Sequence, residues 1–252
     1  MHHNSRNQPM HALGLVASML LLAACGAKAP ESSAGQVSGT ASSAAAQSAG
    51  DDAAASPSTA GQGAFTNRSG ELINPDNSTI VFLYYDLAGV PPPIDNWVEE
   101  DRRVQFAPAI EKAAKRLEVK AELESGMSAV RGIGALRLSM GANLSDYDPS
   151  YGEFMVRALA PSSVVEFPAF GQKVSVKFSN GRTAQIWKVP AADAQLVRDK
   201  IGYSGRVSID VGLKITGVQP APGGGTISTE VVDYELREDR GSAMLGRVQV
   251  TQ

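Results

Sequence analysis

Val207-Ser208-Ile209-Asp210-Val211-Gly212-Leu213-Lys214-Ile215 alternates apolar and polar residues without a break. Successive strand side chains point to opposite faces, so this pattern writes a β-strand with one face on a core and one in water. Downstream, Pro220 to Gly225 carries turn residues, and Ile227 to Leu236 supplies a second strand to pair back across that turn. Ala243 to Val250 continues as a final strand. Upstream, Pro190 opens a short helix through Ala194, Leu196, Val197 and Ile201, and Gly202 stops it.

Further towards the N-terminus, Lys173 to Phe178 is expected to turn at Asn180-Gly181 into Thr183 to Val189, since Asn-Gly favours the tight turns of two-residue hairpins. Glu153 to Ala158 reads as another strand. Leu136, Leu138, Met140, Ala142 and Leu144 alternate with polar neighbours and give one more, again wet on one face. Before it the period changes to that of a helix: Ile110, Ala113, Ala114, Leu117, Ala121 and Leu123 recur at three- and four-residue spacings, which predicts an apolar stripe on a helix ending near Gly126. Asp95 is placed to cap a shorter helix through Trp97 and Val98, after the extended Pro91-Pro92-Pro93. Thr79-Ile80-Val81-Phe82-Leu83-Tyr84-Tyr85 is a continuous β-branched and aromatic run, and reads as a central strand. Hairpin signals this dense, with few helices between them, predict an α+β domain built on a mainly antiparallel sheet, or a partly closed barrel, with two or three helices. Trp97 and Trp187 belong to its core.

The first quarter of the chain has a different character. Between Ser32 and Gly63, Ala, Ser and Gly fill 23 of 32 positions, and Val37 is the only aliphatic residue larger than Ala. Such a segment cannot bury enough apolar surface to offset the entropy of ordering, so it reads as a linker. As a flexible coil, residues 27–64 would span about 35 Å. Ala12 to Ala24 is an apolar run too short for the ~20 residues a membrane-spanning helix requires. With Arg6 before it and small residues after it, this run has the layout of an export signal. Translation from Met10 instead would leave only the terminal amine as positive charge.

The run closes on Leu22-Ala23-Ala24-Cys25-Gly26, which resembles the lipobox of bacterial lipoproteins. That resemblance implies alkylation of the Cys25 sulfur by diacylglycerol, cleavage before Cys25 by the lipoprotein signal peptidase, and acylation of the new amine, palmitate being the typical chain. Two or three acyl chains hold a protein stably on a membrane, whereas one gives marginal binding. Gly26, where an Asp would signal inner-membrane retention, favours the outer membrane. The expected organisation is a lipoprotein signal peptide over residues 1–24, a lipidated Cys25 and linker over 25–64, and a globular α+β domain over 65–252, lipid-anchored to the outer membrane and facing the periplasm.

Chemistry is narrowed by what is missing. His2, His3 and His11 all lie in the expected leader, and Cys25 is the sole cysteine, so residues 65–252 hold neither residue type. This removes Ser-His-Asp triads, Cys-His dyads and His- or Cys-ligated zinc from the domain. No Ser-x-x-Lys motif occurs, Gly132-Ile133-Gly134 is not completed by a glycine at Arg137, and there is no Walker motif. No cofactor is expected. With 23 basic and 26 acidic residues the charge is too balanced for a nucleic-acid partner.

Asp146-Tyr147-Asp148-Pro149-Ser150-Tyr151-Gly152-Glu153 gathers carboxylates, a hydroxyl and two tyrosines in one loop. As a calcium loop it fails, because Tyr151 stands where an EF-hand needs glycine. As a turn it explains itself through side-chain bonds to backbone. As a recognition loop it would use Asp146, Tyr147, Asp148 and Tyr151, tyrosine offering large contact area at small entropic cost. The reading is a non-catalytic envelope lipoprotein that binds an envelope protein, a cell-wall component or an incoming toxin. One alternative is a glycan hydrolase using paired carboxylates, which requires two acids lining one cleft. The other is a structural subunit of an envelope complex.

Overall fold

The computed structural model describes residues 65, 67–239 and 243–251, and Cys25, its flanking leader and the linker lie outside them. The described chain is an α+β fold around one open sheet. In chain order its elements are β1 (Gly70–Ile73), α1 (Asn77–Ala88), α2 (Ile94–Glu100), α3 (Arg102–Gln105), α4 (Lys112–Ala129), β2 (Ile133–Asn143) and β3 (Glu153–Met155). They continue with β4 (Val164–Ala169), β5 (Gln172–Phe178), α5 (Gly181–Ala184), β6 (Ile186–Lys188), α6 (Ala191–Ile201), β7 (Arg206–Ala221), β8 (Gly224–Glu238) and β9 (Met244–Gln249). Six α-helices stand among the described residues, against the two or three expected.

The seven-stranded sheet runs β1-β2-β7-β8-β5-β4, with β9 also on β8. Most pairs are antiparallel; β1 with β2 and β5 with β8 are parallel. It does not close, so the barrel alternative is set aside. The β7–β8 hairpin forms its spine as the alternation requires: Val207, Ile209, Val211, Leu213 and Ile215 are all buried, the last four opposite the buried Leu236, Tyr234, Val231 and Thr229. A bulge at Val232 shifts β8 by one residue, which keeps both Tyr234 and Val231 on the inner face although their spacing is odd.

The outer face of the sheet is a ladder of charges. Arg137 on β2 pairs with Glu71 on β1 and reaches across β7 to Asp233 on β8, at 3.2 Å. Gly212 lies beneath that reach; a Cβ there would sit 3.0 Å from the guanidinium and 2.9 Å from the carboxylate. Arg237 meets Asp210 and Glu235, and Arg247 meets Glu235.

The inner face is covered in two halves. Over one half lies α1, and Thr79 to Tyr85 is therefore helix, contrary to the strand expected there. Ile80, Val81, Phe82, Leu83, Tyr84 and Leu87 are all buried. A helix wrapped on every side is apolar on every side, so its sequence cannot be told from a buried strand by periodicity. The deciding signals flank it: Asp76 accepts the Thr79 amide at 2.7 Å as N-cap, and Gly89 ends the helix in the left-handed conformation.

Helices α2 and α4 pack outside α1. Asp95 does not cap α2; Pro93 holds the N-cap position, and Asp95 in the first turn pairs with Lys120 of α4. Nor does α4 stop near Gly126. It runs on to Ala129 because Gly126 is where it crosses α1: a Cβ there would lie 2.4 Å from the Phe82 ring. Of the stripe expected to face inward only Leu123 is buried, together with Val119, which is not part of it; the rest is turned out, Ile110 being 91% and Leu117 71% exposed.

Over the other half lies the two-stranded sheet β3–β6 with α6 beside it. The Tyr234 hydroxyl donates to the Ile186 carbonyl, and the Trp187 ring lies flat enough on β9 that Gly246 has no room for a side chain. The strand expected over Glu153 to Ala158 ends at Met155 and passes into a 3₁₀ turn, Arg157–Leu159.

The Asn180-Gly181 hairpin does not form. Asn180 instead continues the β5–β8 pairing with its side chain, accepting from the Val231 amide at 2.9 Å and donating to the Val231 carbonyl at 2.8 Å. Gly181 is small because Leu159's carbonyl oxygen would lie 2.7 Å from a Cβ. The tight turn comes earlier, at Phe170-Gly171 between β4 and β5, where both residues have positive φ.

Candidate functional site

A cleft of about 720 Å³ opens where the end of β2 and its following loop meet α6 and the turn after it. Its size is in the range of small-ligand pockets. From the loop come Ser145, Asp146 and Tyr147; from the 3₁₀ turn after β3 comes Arg157; from α6 come Gln195, Arg198 and Asp199; and Gly202-Tyr203-Ser204-Gly205 closes the far side.

The last of these walls is fixed by its glycines. Gly202 and Gly205 both have φ near +60°, and the Leu144 amide donates to the Gly205 carbonyl at 2.8 Å, pinning the turn to the end of β2. Between them Tyr203 stands free of the fold, fully exposed. It lines both the large cleft and an adjoining one of about 370 Å³, whose other walls include Lys200, Arg206, Glu238 and Asp239.

Charge in the large cleft is matched rather than one-signed. Arg157 and Arg198 share its walls with Asp146 and Asp199, and neither arginine makes an ion pair among the described residues. Asp199 accepts from Gln195 Nε2 at 2.8 Å. The cleft thus offers hydrogen-bond donors and acceptors together, and two carboxylates on one wall system.

Of the four residues expected in a recognition loop, two reach this cleft. Asp146 is exposed on its wall. Tyr147 lines it too, but its ring packs on Phe154 at 5.2 Å and its hydroxyl donates to the Val189 carbonyl at 2.9 Å. Asp148 turns away: Oδ1 accepts the amides of Ser150 and Tyr151, closing the loop on itself. Tyr151 is exposed outside the cleft walls, and its carbonyl takes Lys188 Nζ at 3.0 Å. Sequence reading missed Arg157, Arg198, Asp199 and Tyr203. Only the last left a trace, in its place between two turn glycines.

A second exposed feature lies on the opposite cover of the sheet. Leu117, Ala113, Ala114 and Ala121 share the outward face of α4, and Ile110 and Phe106 project from the segment leading into it, Phe106 at 79% exposure. Most of the charges around this face are engaged, Arg103 with Asp101 and Glu122, Arg116 with Glu99, Lys120 with Asp95, and Lys115 with Glu118, while Glu111, Lys112 and Glu124 make no ion pair among the described residues.

No protein-family model, curated protein or solved structure shows significant similarity to the chain. The fold and the two surfaces define an α+β domain with an open, one-sided sheet. Among the described residues no helix is long and apolar enough to cross a membrane, and no group of three acidic residues is gathered to hold a metal.

Proposed function

We propose that this protein is an outer-membrane lipoprotein, anchored through Cys25, whose domain holds another envelope protein without catalysing a reaction. The observation that carries the reading is the uncovered apolar face of α4. Residues 110, 114, 117 and 121 follow a four-three-four spacing, the seam spacing of paired helices, with alanines between larger residues that let a second helix approach closely. Because Lys115, Arg116 and Lys120 beside it are paired within the domain, the face offers mainly apolar burial, so the occupant it suits is the apolar stripe of a partner's helix. Contiguous exposed apolar surface of this kind marks interaction sites in soluble domains.

The test is a pull-down from detergent-solubilised membranes with the full chain, comparing wild type with Leu117→Asp. A partner retained by wild type and lost by the variant supports the reading. Equal recovery on both removes the α4 face from it, and no recovery on either leaves the structural-subunit alternative without its expected complex.

One observation favours the second reading, a carboxylate-based glycan hydrolase: Asp146 and Asp199 line the same cleft. Hydrolysis of peptidoglycan or another envelope glycan by wild type, abolished in both Asp146→Asn and Asp199→Asn, would establish it. Absence of turnover by wild type discards it.

A further inference from the structure

We infer that the cleft beside α6 is a glycan-binding site in which Tyr203 is the stacking platform and a sugar chain lies across both adjoining clefts. The inference rests on the envelope placement proposed above for its choice of ligand, though not on the α4 face or on any catalytic step.

Three observations lead to it. First, Tyr203 is an aromatic ring with no core to serve. It is fully exposed on a turn bounded by two positive-φ glycines and pinned at Gly205 by the hydrogen bond from the Leu144 amide. A ring exposed in this way is positioned for a flat apolar surface brought by a ligand, at low entropic cost because only two side-chain torsions need fixing.

Second, the walls mix donors and acceptors. Arg157, Arg198 and Gln195 donate, while Asp146 and Asp199 accept. Pyranose hydroxyls each donate and accept, and their rings carry an apolar C–H face. That combination matches these walls. A phosphate or nucleotide does not, because the two carboxylates offset the two guanidiniums that would otherwise attract it.

Third, Tyr203 is shared by two clefts, and the smaller repeats the balance with Lys200 and Arg206 against Glu238 and Asp239. A compact metabolite would fill one cleft. A linear polymer of repeating polar units would fill both, with the ring beneath its middle.

Two sources in the envelope share this chemistry, the peptidoglycan strand and the oligosaccharide of lipopolysaccharide. Purified full-length protein in detergent is titrated by calorimetry with muramidase-solubilised peptidoglycan fragments and, separately, with lipopolysaccharide core oligosaccharide. Saturable binding to either supports the inference and names the source. Tyr203→Ala is expected to weaken that binding at least tenfold, Tyr203→Phe to stay within about threefold of wild type, and Leu117→Asp to bind as wild type does. The exposed Tyr203 side chain supports nothing in the fold, so its loss should leave the melting temperature unchanged. No binding to either glycan, or equal binding by Tyr203→Ala, overturns the inference. Glycan binding by a chain whose Cys25 proves unmodified would instead leave the site standing and sink the envelope address.

Discussion

Asp76 closes the N-terminus of α1 by accepting the Thr79 amide, and this backbone hydrogen bond is the first cause of its carboxyl lying below the ordinary value. Asp76→Ala should cost about 1 kcal/mol, read from the denaturant midpoint at pH 7. A folded-state value below the unfolded one means the contribution is present above the unfolded carboxyl value, near 4, and fades as pH falls through the folded one. The gap between wild type and variant should therefore close in acid; a gap that widens there would refute the cap. Tyr234 works in the other direction. Its hydroxyl is fully buried against the Ile186 carbonyl, and desolvation pushes its ionisation well above the usual tyrosine range. The neutral form is favoured in the fold, so its contribution holds below about pH 10 and is lost as pH rises beyond it. Wild type should lose stability relative to Tyr234→Phe from about pH 10 upward, measured by thermal melts across an alkaline series. Parallel pH profiles for the two proteins would contradict this.

Between elements, the β4–β5 turn is fastened to the helices by one unusual residue. Phe170 adopts positive φ, a conformation seldom taken by a bulky side chain, and its ring stacks on Trp97 at 4.6 Å and on Phe82 at 5.4 Å. The aromatic contacts with α1 and α2 offset the backbone cost. Phe170→Ala keeps the strained backbone and removes those contacts, so a loss of about 2–3 kcal/mol is expected. Phe170→Gly relieves the backbone as well and should be less damaging than Phe170→Ala; the reverse order in denaturant melts would show that the positive φ carries no strain to relieve. The same turn explains why the hairpin was misplaced in sequence. Asn180-Gly181 has the preferred composition for a tight turn, yet its amide is spent on Val231 and its glycine on clearance from Leu159, whereas Phe-Gly makes the turn because of rings far away in the chain. Helix α4 misleads similarly. Two apolar stripes are written on it, and which one faces α1 is decided by the notch at Gly126 into which Phe82 fits.

For the whole molecule, both covers of the inner face meet on β8, which α1 touches along with β4, β5 and β7 and which the β3–β6 cover reaches through the Tyr234–Ile186 hydrogen bond, so neither can leave without exposing the other's support. Leu83→Ala, on α1, and Phe154→Ala, in the β3–β6 cover, should each lower one cooperative transition by about 3–5 kcal/mol. Two resolved transitions in calorimetry, with each variant moving only one, would show the covers to be independent. At this scale the Cys25 reading has its own check: intact-mass analysis of native protein should find residues 1–24 gone and acyl mass on Cys25, and an unmodified full-length chain would remove the anchor from the proposal.

Period-two alternation made β2, β7, β8 and β9 legible from sequence alone, as did Pro190 and Gly202 at the ends of α6, because a strand wet on one face and a helix with marked ends carry their environment in their own residues. The absence of histidine and cysteine from residues 65–252, and with it the loss of whole classes of catalysis, is likewise a property of composition that no fold can alter. Tertiary structure decided the rest. A helix buried on every side has no period to report, so α1 became visible only once the sheet, α2 and α4 were around it. The cleft joins Asp146 to Arg198, Asp199 and Tyr203 across more than fifty residues of chain, and proximity of that kind is created by packing rather than by spacing.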